Sequence, residues 1–159
     1  MMKPKPKHFA SGTKVSIEKS RAEIERMIVR VGAKNTAFAN TDTKAVIIFE
    51  AHNRRIRFDL PLPTPGDNRF ARDGRGSSRS QGGREIACEQ FRRERWRALA
   101  LVIKAKLESV AAGIETFETA FVANIVLPDG RTVADEVLPR IEHAYQTQTM
   151  VPLLSGPAQ

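Results

Sequence analysis

Residues 84–113 read REIACEQFRRERWRALALVIKAKLESVAAG, the longest segment of the chain without a helix breaker. It holds the only Trp, Trp96, and the only Cys, Cys88. At about 100° per residue, Cys88, Phe91, Trp96, Leu99, Val102, Ile103, Leu107 and Val110 fall on one broad face. Glu89, Arg93, Arg97, Lys104 and Glu108 fall on the flank or the far side. The pattern predicts an amphipathic helix of roughly seven to eight turns, a spine for the rest of the fold. Arg92 and Arg95 project on the apolar side near its start. They either snorkel past the end of the core or meet an anion.

Upstream, residues 14–17 suit a short strand. Ser20 and Glu23 have capping-box spacing, and Ala22, Ile24, Met27, Ile28 and Val31 continue at helical spacing to a stop at Gly32. Three strands follow, at residues 36–41, 45–51 and 54–60, joined by turns at Asp42–Thr43 and His52–Asn53. Neither turn carries the Gly of the strongest hairpin signals. This register puts Phe38, Ile47, Phe49, Ile56, Phe58 and Leu60 on one face. Val46, Ile48, Glu50, Arg55, Arg57 and Asp59 take the other, with Glu50 opposite Arg55. Pro61, Pro63 and Pro65 end the sheet.

Residues 64–83, TPGDNRFARDGRGSSRSQGG, show no apolar period and read as a mobile loop rich in Arg, Gly and Ser. After the spine, Thr116 caps a short helix to Asn124 that buries Phe117, Phe121 and Val122. Pro128–Gly130 make a turn. Thr132 and Asp135 start a last helix with Val133, Val137, Leu138, Ile141 and Tyr145 on its apolar side, bent at Pro139. Val151, Leu153 and Leu154 in the C-terminal stretch can cover an edge or frame a partner surface. The predicted class is α+β: a small antiparallel sheet of three to four strands packed on one long helix plus shorter helices. The middle of the chain has the αβββα order of double-stranded RNA-binding domains, an analogy of topology alone. The expected division is a basic flexible tail at 1–12, a single domain at 13–154 and a C-terminal tail at 155–159.

The 159 residues carry 26 Lys and Arg against 18 Asp and Glu, a net charge of +8. Such a field favours anionic partners, nucleic acid first and an acidic protein surface second. One Cys excludes an intramolecular disulfide and any thiolate-rich metal site. The apolar runs fall short of the roughly 18 residues of a membrane span, and MMKPKPKHF is not a signal peptide. A cytoplasmic setting is the expectation.

The catalytic possibilities are thin. His8, His52 and His143 have no metal-ligand spacing to one another, to Cys88 or to a carboxylate. Asp129 reads as a turn former and Asp135 as a cap. Asp59, Glu50 and Glu89 would have to converge for a two-carboxylate nuclease, and nothing in their spacing requires it. The expectation is a protein that is not an enzyme and needs no cofactor or metal.

Lys3, Lys5 and Lys7 alternate with Pro4 and Pro6 in a solvated, phosphate-seeking arm. In the loop, Arg69, Arg72, Arg75 and Arg79 outnumber Asp67 and Asp73, and Arg84 follows. They feed into the N-terminus of the spine beside Arg92 and Arg95, where the helix dipole also favours anions. Phe70 is the only aromatic residue of the loop and the candidate for base stacking. These residues form the expected nucleic-acid site, for DNA or RNA. The alternative is a protein-interaction module or inhibitor acting on another protein. The long helix also leaves room for a homodimer.

The phrases RWRALALVIKAKLESVAAGI (95–114) and TFETAFVANIVLPDGRTVADEVLPRIEHAY (116–145), with RIRFDLPLP (55–63) before them and MVPLL (150–154) after, carry a further indication. They resemble a family of small, functionally uncharacterised proteins of tailed phages and prophages, over most of residues 15–154. The resemblance implies a context, a phage or integrated element with its genome handling or host takeover; the cytoplasmic setting is then the host cell interior, and the alternative interaction module or inhibitor acts on a host or phage protein. It transfers no catalytic residue.

Overall fold

The computed structural model describes residues 9–154. The spine is α2, Gln81–Ala111, 31 residues and about 46 Å long. It begins three residues before the expected start because the Ser80 hydroxyl accepts the Gly83 N–H at 3.2 Å, so both loop-end glycines enter the first turn. Cys88, Trp96, Leu99, Ala100 and Ile103 are its buried residues, with Leu107 and Val110 packed beside them. Val102, expected in the stripe, is 46% exposed. It lies about 100° around the helix from Ile103, beyond the reach of the sheet.

The sheet is antiparallel in the order β1–β2–β3, with β1 at Lys34–Asn40, β2 at Lys44–Ala51 and β3 at Arg54–Pro61. Phe38 pairs with Ile47, Ile47 with Phe58, Phe49 with Ile56, and Glu50 with Arg55, the register read from the sequence. Arg55 Nη2 sits 2.8 Å from Glu50 Oε1. His52 and Asn53 form the β2–β3 turn at φ 51° and 57°. Asn tolerates the left-handed region, and the hairpin closes without Gly.

Two N-terminal expectations are corrected. Residues 14–16 form no strand, and α1 runs Ile17–Arg30 with Ser16 as its cap, its hydroxyl accepting the Lys19 N–H at 3.2 Å. Ser20 lies inside the helix on the buried face with Ile24 and Ile28, and its Oγ has no hydrogen-bond partner among the described residues. Gly32, at φ 79°, follows α1. The Ala33 N–H then donates to the Ile28 carbonyl, closing the end as a glycine stop does. The basic arm of Lys3, Lys5 and Lys7, with His8, lies outside the described residues, as does the tail at 155–159. Within the expected N-terminal tail, Ala10 is buried and the Gly12 N–H donates to Glu94 Oε1 at 2.7 Å.

The inner face of the sheet, α1, α2 and α3 (Phe117–Phe121) share one core cluster. The Thr116 hydroxyl caps α3, and Phe121 meets Phe49 and Phe58 edge-on at 6.3 and 6.2 Å. Val122 was expected to join this cluster. It opens the 3-10 turn Val122–Asn124 and is exposed.

Ile125 then bridges to Ile56, and the Val126 N–H donates to the Arg55 carbonyl at 2.8 Å, covering the outer edge of β3. α4, Val133–Thr147, starts in the predicted Thr132/Asp135 capping box. The buried Glu136 carboxylate receives Arg131 and Arg140, each at 2.6 Å. Leu138 and Tyr145, placed on the apolar side of this helix by periodicity, are exposed, because α4 turns away from the core and meets mainly residues 122–124. Among the described residues no helix is long and apolar enough to cross a membrane.

Candidate nucleic-acid interface

Residues 64–80 contain hydrogen-bonded turns, and residues 81–83 of the expected loop belong to α2. The Asp67 carboxylate caps the 3-10 helix Asn68–Phe70 by accepting the Arg69 N–H at 3.0 Å, and Arg69 Nε returns to it at 3.1 Å. Both contacts, the amide first, hold Asp67 below the usual carboxylate range. Asp73 Oδ1 accepts the N–H groups of Arg75 and Ser77, each at 2.9 Å, and Arg72 bridges to Ser78. The missed signal is the repeated Asp-x-Arg, in which an aspartate bonds the backbone two residues on and makes its own turn.

Phe70 is only 4% exposed, its ring edge-on to Phe91 at 5.9 Å. The expectation that it stacks on a base is therefore corrected, since a single aromatic residue in a polar loop is what anchors that loop to the core.

The arginines divide by partner. Arg69 is paired with Asp67 and lies over the Phe91 ring at 5.1 Å. Arg72 Nη1 donates to the Gly76 carbonyl at 3.0 Å, and Arg79 Nη1 to the Arg72 carbonyl at 2.6 Å. Arg92 spans two carbonyls, Nε to Pro63 at 2.9 Å and Nη2 to Asp42 at 2.8 Å. Arg95 Nε donates to the Pro61 carbonyl at 3.3 Å. Arg75 stands at the exposed loop tip and Arg84 in the first turns of α2, neither with a side-chain partner among the described residues.

A carbonyl satisfies a guanidinium donor without cancelling its charge. Arg72, Arg75, Arg79, Arg84, Arg92 and Arg95 thus keep their positive charge around the start of the spine. The acidic residues there are Asp73, Glu85, Glu89 and Glu94: Asp73 accepts the Arg75 and Ser77 N–H groups, Glu85 the Gln81 amide and Glu94 the Gly12 N–H, and Glu89 is paired with Arg93 at 3.4 Å.

The held loop makes a proteolytic prediction. Limited trypsin digestion should cut first after Arg75, where the side chain stands free at the turn tip. Mass spectrometry of the earliest fragments checks this. Early cuts spread over Arg69, Arg72 and Arg79 would mean that the turn is not held in solution.

The imagined carboxylate trio is not assembled. Asp59 pairs with Arg57 and Lys44, Glu50 with Arg55, and Glu89 stands on α2. Cys88 is buried, its thiol donating to the Pro63 carbonyl at 3.3 Å. Among the described residues no group of three or more His, Cys, Asp and Glu could hold a metal ion.

Sequence reasoning missed a second set of cations. Lys34 aligns with Glu50, and Glu50 with Arg55, so strand pairing gathers Lys34, Arg54 and Arg55 at the far end of the sheet. Twenty residues of sequence separate Lys34 from Arg54, and only the antiparallel register reveals their proximity. Compared with known proteins, the chain matches no family model, no curated protein and no solved structure.

Proposed function

We propose that the protein binds nucleic acid without catalysis, as an accessory protein of a phage or integrated element, through its arginine-bearing loop and the start of α2. The supporting observation is the partner class of these arginines. Arg72, Arg79, Arg92 and Arg95 meet neutral carbonyls, and Arg75 and Arg84 meet no side chain among the described residues. Their charge is available to phosphates and adds to the net +8 of the chain. With no stacking ring in the loop, this face tracks backbone rather than sequence.

Fluorescence anisotropy with labelled single- and double-stranded DNA and RNA tests the reading. With about four phosphate contacts on a duplex, affinity should fall roughly two orders of magnitude between about 50 and about 200 mM salt. Absence of binding to all four probes at the lower salt would overturn it.

One observation favours a second reading, a module that binds a host or phage protein. Tyr145, Met150 and Leu153 are exposed beside Ile141 and Ala144 and line a shallow cleft of about 460 Å³. Association through this apolar strip would survive about 1 M salt, where the screening length is about 3 Å.

A further inference from the structure

A groove of about 770 Å³ opens at the end of the sheet away from the arginine-bearing loop. Its floor is the row Lys34, Glu50 and Arg55 across three strands, and Leu127 and Pro128 form an apolar wall. Glu50 is already matched, taking Arg55 at 2.8 Å and Asn35 Nδ2 at 2.6 Å. The Asn35 amide first and Arg55 second hold its carboxyl below the usual range. Lys34 and Arg54 have no carboxylate partner among the described residues. Arg54 spends one donor on the Asn53 carbonyl at 3.0 Å and keeps the rest. The groove therefore has a cationic excess that its own acid does not cancel.

His52 supplies a different element. Its ring stacks on Phe117, centroids 4.4 Å apart and planes 23° from parallel. Phe117 is buried, whereas His52 is exposed and lines the groove. One face of the imidazole is backed by an aromatic ring and the other is available. The left-handed turn at His52–Asn53 holds the ring at the sheet end. A backed aromatic face beside two uncompensated cations is the combination that binds one nucleotide of a single strand, base on ring and phosphate on cation.

We propose that this groove is a single-strand site, with a nucleobase stacked on His52 and its flanking phosphates at Lys34 and Arg54. The proposal rests on the nucleic-acid reading above and adds a second contact to it. The groove lies at one end of the sheet and the Asp42 and Pro61 carbonyls that meet Arg92 and Arg95 at the other, with the eight-residue β2, about 25 Å long, between them.

Anisotropy with a fluorescein-labelled oligothymidylate of about 16 nucleotides, and with a duplex of the same length, tests the proposal. Lys34→Ala with Arg54→Ala should weaken single-strand binding about tenfold or more and lower its salt slope by roughly 1.4. His52→Ala should weaken it about fivefold or more without changing that slope, and His52→Phe should restore it. Duplex binding should change less in each case. Circular dichroism should show all variants folded, since these three side chains are exposed. If the groove variants match wild type while Arg75→Ala with Arg84→Ala loses affinity, the groove is no site and the loop interface stands. If wild type binds neither these probes nor their RNA counterparts, both readings fall.

Discussion

Trp96→Ala should cost the fold about 3–5 kcal/mol, the range for removing a fully buried large aromatic side chain. Trp96 is 2% exposed and belongs to the one cluster that joins α1, α2, α3 and the inner face of the sheet. Arg21 lies over its ring at 5.7 Å and over Phe38 at 5.2 Å, so the truncation also removes part of the surface that holds this cation. The neighbouring Ile24, Ile28 and Ile103 are rigid β-branched side chains on helices, and they cannot collapse far into the space left behind. A domain of this size has about 5–15 kcal/mol in total, so the variant would lose at least about a fifth of its margin. Urea unfolding followed by circular dichroism measures the loss, read as a lower midpoint at unchanged slope. Wild-type Trp emission should be blue-shifted, and it reports this site alone because the chain has one Trp. A loss under about 1 kcal/mol would mean that the core closes over the gap, and would move the centre of the fold away from the spine.

The parts of the fold legible in the sequence are those where a local signal and the core agree. Phe49 opposite Ile56 and Glu50 opposite Arg55 follow from a period of two and a two-residue turn. The Thr116 and Thr132/Asp135 caps follow from side chains that satisfy the amides nearest to them.

The misreadings fall where the two signals compete. Ser20 and Glu23 have capping spacing, but Ser20 shares a helix face with Ile24 and Ile28, and burying that face moves the start back to Ser16. Leu138 and Tyr145 recur as a core stripe would, yet periodicity cannot say whether a surface exists for the stripe to meet. At the candidate site the charges were legible and their partners were not. Whether Arg92 faces a phosphate or the Pro63 and Asp42 carbonyls depends on the end of β3 and the β1–β2 turn arriving beside α2.

That geometry separates two pairs of arginines that look alike in sequence. Arg92→Ala with Arg95→Ala should lower stability by about 2 kcal/mol, the low end for charge-assisted hydrogen bonds whose carbonyls water can partly reclaim. The sequence expectation had these two either snorkelling past the end of the core or meeting a phosphate. In the structure they tie α2 to the Pro61 carbonyl at the end of β3, to the Pro63 carbonyl beyond it and to the Asp42 carbonyl in the β1–β2 turn at the same end of the sheet. Arg92→Lys should recover the charge but not the stability, because an ammonium cannot reproduce the fork that spans two separate carbonyls. Arg75→Ala with Arg84→Ala should leave stability within about 0.5 kcal/mol of wild type, since neither side chain bonds another group among the described residues. The same pair should lower the duplex salt slope by roughly 1.8, two phosphate contacts' worth. Chemical denaturation and salt-titrated anisotropy on the variants give both readouts from the same preparations. An unchanged slope for the Arg75 and Arg84 pair would remove the loop tip from the interface. Undiminished stability for the Arg92 and Arg95 pair would show that their carbonyl contacts do not hold the spine to the sheet, and would free both guanidinium groups to act as ligands.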